Sequence, residues 1–396
     1  MRDFLLGDED RAFRADVRDF LTRELAPRAE AIEQHDDWDA IRAVVAALGA
    51  AGYLKLMFRD LYRGPLAAPG VTHATILSEE AAYLNYAFET TIATALSCAV
   101  PLHRHAVPAV RDRYLLPIVE GRMVGAIAVT EPGAGSDTSR MGTTITFDAA
   151  RREWVVHGHK RFISNASVAD VYVAYGVSDA SAAPGKGLSA VVVPAGTPGL
   201  SFPRRYTFMG RRGCVVGEVD FDGCRVPADH LLGNPGDGMR IMIGMFNFER
   251  IILGGSGLGV ARSAFDIAQS HAQQREAFGA KIGCKQLVWG PIADMSCRID
   301  AAELLTYRAA KLFDAGASAG ELKKPAAMAK LVATETANFC ADRTVQILGG
   351  EGLTREFGRA EQIYRDARAL TIVGGTSEMA RYLIAAADLP TLKPDL

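Results

Sequence analysis

The spacing of apolar residues along this chain changes twice, and that double change narrows the folds open to it. Up to about Met123 the pattern is helical. Phe13, Val17, Phe20 and Leu21 form one stripe, and the Ala-rich stretches Ile41–Ala51 and Glu79–Leu102 continue the texture. From Val124 to about Leu232, short β-branched runs between Gly, Pro and Asp turns replace it. They are Gly125–Thr130, Thr143–Phe147, Trp154–His157, Val171–Tyr175, Leu188–Val193 and Gly217–Phe221. From Gly233 the helical period returns, with helices expected at Gly238–Gln273, Gln286–Ala315, Lys324–Leu348 and Ser377–Ala387. The order predicts an α+β chain: a helical N-terminal domain (1–123), a central β-barrel or sandwich (124–232) and a C-terminal four-helix bundle (233–396).

Composition removes several function classes. A formal net charge of −2 gives no electrostatic reason to expect nucleic acid or an anionic membrane as partner. No apolar run is read as reaching the roughly 20 residues that span a bilayer. Met1-Arg2-Asp3-Phe4 and the acidic stretch after it lack the order of a signal or transit peptide, so a cytoplasmic location is expected. The six cysteines form no CxxC pair. Most of them read as small buried hydrophobes. His103 with His105, and His157 with His159, are spaced by two, which on a strand would place each pair on one face. No further ligand accompanies them, so no metal site is expected.

One residue stands out chemically. Between Arg240 and Arg262 the only charged side chains are Glu249 and Arg250. Met242, Met245, Phe246, Ile252 and Leu253 lie three, four or seven positions from Glu249, so a helix sets this carboxylate on an apolar stripe. Desolvation there raises a carboxyl's pKa, which suits general-base work on a weak carbon acid. A buried acid paired with a distant arginine would give the same pattern, and both readings stand on the residues alone.

Two glycine-rich segments invite comparison. Thr130-Glu131-Pro132-Gly133-Ala134-Gly135-Ser136-Asp137 follows a strand-like run, and its glycines let the backbone approach a ligand. Gly254-Gly255-Ser256-Gly257-Leu258-Gly259 follows a helix and misses the GxGxxG spacing, so close helix packing explains it better than a dinucleotide loop.

Five stretches in order then carry a specific likeness: Ala128–Asp137, Gly158–Val173, Arg275–Gly279 with Gln286, Gln346–Leu353 with Tyr364–Arg368, and Gly375–Glu378. Over nearly its whole length the chain resembles the acyl-CoA dehydrogenases. The resemblance implies FAD as cofactor. Its ring would lie against Ile127, Val129, Thr130, Ser136 and the step Phe162-Ile163-Ser164-Asn165, where the family usually has Trp in place of Phe162. Arg275, Phe278 and Gln286, with Gln346, Gly349 and Gly350 of a neighbouring subunit, would hold its diphosphate and adenosine. Thr376 and Ser377 would close the site. A shared cofactor implies a homo-oligomer, expected to be a tetramer, and the family's electron acceptor is an electron-transfer flavoprotein.

The chain departs from the family at the base. Many members carry a glutamate directly before Gly-Thr-Ser-Glu, where this chain has Gly374. A branch that includes the isovaleryl and long-chain types places the base on the preceding helix, at the position matching Glu249. The resemblance therefore implies that Glu249 removes the α-proton of an acyl thioester while the Gly374 N–H holds the enolate oxygen. Ser136, Asn247, Arg250 and Gly375 would contact the substrate. The family's Gly-Gly loop is replaced by Leu61–Gly70, and Ala106 stands where Gly is common. The substrate's carrier is left open between CoA and a carrier protein. Two rivals stay open: an O₂-reacting flavin oxidase or monooxygenase on the same fold, and a non-catalytic acyl-thioester-binding homologue.

Overall fold

Phe13, Val17 and Leu21 lie buried on one side of helix α1 (Asp8–Glu24), with Phe20 half-buried beside them. In the computed structural model, which describes residues 5–183 and 185–391, α1 packs on a further set of N-terminal helices. These are α2 (Ala29–His35), α3 (Trp38–Ala50), α4 (Val71–Leu84) and α5 (Tyr86–His105). The leader reading at Met1–Phe4 lies outside the described residues. The replaced loop ends at Gly70. The carboxylate of Asp314 there accepts from the Val71 and Thr72 N–H groups at 2.6 and 2.9 Å, and so caps α4. Ala106 is the residue at which α5 stops.

Strands β1 (Gly125–Ala128), β2 (Thr144–Asp148), β3 (Glu153–Ser164), β4 (Val171–Val177), β5 (Leu188–Pro194), β6 (Leu200–Ser201) and β7 (Val216–Pro227) make one seven-stranded sheet. Its path runs β1-β4-β2-β3-β7-β6, with β5 also paired to β4, so β4 serves three neighbours and the sheet curls. β1 and β4 are parallel, whereas β2, β3 and β7 pair antiparallel. β3 runs further than the apolar residues suggested because its ladder with β7 continues through polar positions. A register shift between Lys160 and Ile163 turns Phe162 outward at φ 55°. His157 and His159 do share this strand, and His159 meets Asp220. His103 and His105, in contrast, sit on helix α5, where a spacing of two separates their faces; His103 meets Asp60 at 2.7 Å.

The C-terminal part is built on α6 (Gly238–Gln274), flanked by α7 (Gln286–Asp314) and α8 (Ala319–Leu348) and closed by α9 (Ala360–Leu370) and α10 (Ser377–Asp388). α8 starts earlier than Lys324 because Ser318 and Glu321 form a capping box and Pro325 is accepted within the first two turns. α6 does satisfy the length and composition of a membrane span, contrary to the reading of apolar runs above. Its apolar window is 89% buried inside the protein, which makes it a core helix. The glycines of its middle explain how neighbours come so close. A Cβ on Gly255, Gly257 or Gly259 would stand 2.7, 2.8 or 2.2 Å from the carbonyl oxygens of Thr75, Ala333 or Glu79.

Charged residues fasten the helical layers together. Glu79 of α4 receives Arg14 of α1 at 3.0 Å and the Tyr307 hydroxyl of α7 at 2.5 Å, and it also pairs with Arg262 of α6. Arg262 reaches on to Glu303 of α7 at 2.9 Å. Four of the six cysteines (Cys98, Cys214, Cys224 and Cys340) are buried, while Cys284 and Cys297 are exposed.

Candidate active site

Glu249 lies a third of the way along α6, above Leu253 and beside the loop that joins α9 to α10. Its carboxylate makes no hydrogen bond or ion pair among the described residues. Burial raises its pKa to about 7, against the opposing pull of Arg250, Lys330 and Arg211. The reading of a buried acid neutralised by a contact pair is therefore not what the fold builds; the cations are near but not bonded.

Gly374 is brought to the same point from the other side of the chain. A Cβ placed on it would sit 3.4 Å from Glu249 Oε1 and 2.2 Å from Leu253 Cδ1. The backbone there is left-handed, φ 64°, which glycine adopts without strain. Its N–H has no acceptor among the described residues. The carboxylate thus lies beside the Gly374 backbone, whose N–H is unbonded. The next carbonyl, Gly375, accepts from Lys330 Nζ at 2.7 Å. Lys330 is fully buried, and burial lowers its ammonium to about 8 while Arg250 adds to the fall. Arg250 closes the group. Its guanidinium stacks 5.5 Å from the Phe246 ring, and a Cβ on Gly375 would lie 3.8 Å from its Nη2.

Asn247, the other flanking residue, points elsewhere. Its Nδ2 donates to Ala319 O at 2.8 Å, and its Oδ1 is buried without a partner. Ala319 lines a cleft of about 650 Å³ with Lys186, Gly236, Arg240 and Ile243; Arg240 and Ile243 lie roughly two turns before Glu249 on α6. Its edge carries Lys186 and Arg240, with the Asp237 carboxylate paired to Arg240 at 3.0 Å.

The sheet offers a second surface. Val129 is buried, Ile127 and Thr130 are half-buried, and Ser136 is exposed in the loop after β1. That loop is held by a feature the sequence did not reveal. Lys160, fully buried, bonds Glu131 Oε1 at 2.7 Å and Val129 O at 3.1 Å. Glu131 in turn accepts from the N–H groups of Gly142 at 2.6 Å and Thr143 at 3.0 Å. Burial pushes the Lys160 ammonium down to about 8 against the pull of Glu131. Phe162 stands 49% exposed beside Tyr206. Ser164 meets Arg211 at 3.2 Å, and Asn165 ties β1 to α5 through Gly125 O and Thr91 O.

At the far end of the bundle, Arg275, Phe278, Gln286, Gln346, Gly349 and Gly350 are all on the surface. Arg275 comes within 3.9 Å of Glu351, so the two groups share one end of the protomer. Phe278 is 96% exposed, and Leu287 and Leu353 nearby are bare as well. Thr376 caps α10 by accepting from Met379 N–H, and Ser377 lies buried with an unpartnered hydroxyl.

Three family models cover the chain in order. The acyl-CoA dehydrogenase N-terminal domain matches residues 7–122, the middle domain 126–224 and the C-terminal domain 236–389. This chain belongs to the acyl-CoA dehydrogenase family. Among curated relatives, the human mitochondrial short-chain specific acyl-CoA dehydrogenase is 33% identical over 93% of this chain and 87% of its own length. The mitochondrial isovaleryl-CoA dehydrogenase of Pongo abelii is 31% identical over 96% of this chain and 89% of its own. The solved butyryl-CoA dehydrogenase of Megasphaera elsdenii superposes with a TM-score of 0.91 at 30% identity, covering 98% of this chain and all (100%) of that one.

The family's cofactor is FAD, and the residues present fit it. A Cβ on Gly133, Gly135, Gly279, Gly349 or Gly350 would meet nothing within 4 Å, which leaves backbone open to a ligand at both surfaces described above. The orphaned Ser377 hydroxyl adds a polar group that lacks a protein partner.

Proposed function

We propose that the chain dehydrogenates an acyl thioester between its α and β carbons, with Glu249 as base. The observation that carries this reading is a desolvated, unbonded carboxylate beside the Gly374 backbone, whose N–H is free. An α-C–H next to a thioester is too weak an acid for a solvated carboxylate. Desolvation strengthens Glu249 as a base, and a donor aimed at the carbonyl oxygen lowers the cost of the developing enolate. Gly374 donates to that oxygen while Glu249, half-buried beside it, takes the proton. Lys330 fixes the loop through the Gly375 carbonyl and keeps the donor aimed. FAD supplies the acceptor for the β-hydrogen and its electron pair.

Ile127, Val129, Thr130, Ser136, Phe162 and Ser164 would hold its ring, and Thr376 with Ser377 would close the site. Arg275, Phe278 and Gln286, joined by Gln346, Gly349 and Gly350 of a second copy, would hold the nucleotide. The bare Phe278, Leu287 and Leu353 favour an assembly that covers this end, which we read as a homotetramer. The cleft at Lys186 and Arg240 suits the phosphate-bearing arm of CoA or of a carrier protein, with Asn247 bonded to the Ala319 carbonyl behind its wall. The division 1–123, 124–232 and 233–396 and an electron-transfer flavoprotein as acceptor complete the proposal.

The test is anaerobic mixing of the yellow protein with a panel of acyl-CoA and carrier-bound thioesters. Bleaching of the flavin with enoyl product is expected, and Glu249→Gln should keep FAD and lose bleaching. Undiminished bleaching in Glu249→Gln would remove the base assignment. Rapid reoxidation of the bleached flavin by O₂, with release of H₂O₂, would favour an oxidase.

A further inference from the structure

Lys160 of β3 is 0% exposed, and its ammonium reaches across to the loop after β1. Its Nζ donates to Val129 O at 3.1 Å and to Glu131 Oε1 at 2.7 Å. Taking an ammonium out of water costs the fold, and apolar residues of like volume often replace such a pair without loss of stability. The loop is also held by other means. Arg161 N–H donates to Thr130 O at 2.8 Å, and Glu131 and Ala134 exchange backbone bonds at 3.0 and 3.2 Å. The Glu131 carboxylate accepts from the Gly142 and Thr143 N–H groups at 2.6 and 3.0 Å. What the ammonium adds is a charge on the Val129 carbonyl.

That carbonyl belongs to the same peptide as the Thr130 N–H. No peptide bond among the described residues is cis, so the two groups point opposite ways. With the oxygen turned to Lys160, the N–H is turned away from it, at a residue that is half-buried. This N–H finds no acceptor among the described residues. Neither does the Thr130 hydroxyl find a partner there. A charged donor on a carbonyl draws electrons through the amide and makes its N–H a stronger donor; bonds in such a chain reinforce one another by roughly 10–30%. The backbone further along the loop is open as well, since a Cβ on Gly133 or Gly135 would meet nothing within 4 Å. Glu131 keeps the charge on Lys160, because its attraction opposes the downward pull of burial.

We propose that Lys160 is a positioning residue: through the Val129–Thr130 peptide it strengthens the Thr130 N–H as a donor to the flavin ring and raises the reduction potential of bound FAD. The inference rests on the dehydrogenase reading above, in which Thr130 borders the ring. A fixed donor favours the state that places more electron density on its acceptor, and reduction adds an electron pair to the ring. Glu131 serves as counter-charge and as the anchor of the loop.

The experiment measures the midpoint potential of FAD bound to the full chain, by anaerobic reductive titration against a reference dye, and measures FAD affinity separately. Lys160→Met alone strands the Glu131 carboxylate in the interior. It is therefore read beside Lys160→Met/Glu131→Gln, in which the amide oxygen still accepts from Gly142 and Thr143. The double variant is expected to bind oxidised FAD as the wild type does. Its preference for reduced over oxidised flavin should drop about tenfold, which lowers the two-electron potential by roughly 30 mV. Loss of the Glu131 charge by itself would move the potential upward, so a fall reports the ammonium. An unchanged or higher potential in a double variant that binds FAD would overturn the proposal. So would loss of FAD from the double variant, because the pair would then build the loop and not act through the peptide. A wild type that binds FAD and bleaches with thioesters keeps the dehydrogenase reading in both cases. A wild type that takes up no FAD brings down both.

Discussion

Glu79 and Glu249 are both glutamates inside the same helical layers, and the fold treats them in opposite ways. Glu79 is met by Arg14, Arg262 and Tyr307, drawn from three different helices. Glu249 has cations around it and a bond to none. The difference separates structure from chemistry. A carboxylate that ties elements together is useful because its charge is spent on partners. A carboxylate that must take a proton is useful because its charge is not.

The two can be told apart by substitution. Glu79→Gln leaves two guanidinium groups facing an amide, and unfolding should become easier by about 3–5 kcal/mol. Glu249→Gln should unfold no more easily than the wild type, because it removes an acid that burial disfavours in its charged form. Denaturant titration of both variants checks this. A Glu249→Gln protein as unstable as Glu79→Gln would mean that both acids are structural.

A pH series sharpens the contrast. The Glu249 carboxyl sits at about 7 in the fold against an ordinary 4.5, so the folded protein holds that proton more tightly than the unfolded chain. Its contribution to stability is whole below about 4.5 and is lost as pH rises through about 7. The chemistry needs the ionised form, so the rate of flavin bleaching should climb through the same window. Glu89 of α5, fully buried and likewise lifted to about 7, adds a stability change of the same sign, so the stability arm is read as the difference between wild type and Glu249→Gln. A bleaching rate flat across pH 6 to 8 would contradict the assignment of about 7 to the base.

Lys330 gives the smallest expected effect. Its charge pulls the Glu249 carboxyl down, and its Nζ holds the Gly375 carbonyl. Lys330→Met should cut the bleaching rate about tenfold, of order 1.4 kcal/mol. It should also move the acid limb of the pH profile upward. A lower rate with an unmoved limb would show that Lys330 acts on the loop alone.

Glu249 was legible because an acid inside an apolar helical stripe breaks a local rule, and the missing glutamate at Gly374 drew attention to the same place. Glu89 broke that rule equally: it is the one charged residue between Glu80 and Arg104, yet it passed as texture in an Ala-rich run. The order of helical, strand and helical regions was readable from hydrophobic period alone. The pairing of β1 with β4, the register shift that turns Phe162 outward and the curl of the sheet were not, since strand partners leave no local mark. The Lys160–Glu131 pair and the Arg14–Glu79–Arg262 cluster were equally invisible. Their members are far apart in the chain, and each looks like an ordinary surface charge until the fold buries it.

The methyl of Leu253 that stands where a side chain on residue 374 would begin makes the placement of the base hard to reverse. Returning a glutamate to the loop demands that the leucine be trimmed in the same step and that a left-handed backbone accept a Cβ. If Glu249 is the base, as proposed, the packing at Leu253 and Gly374 ties the reaction to that one residue as firmly as the chemistry does.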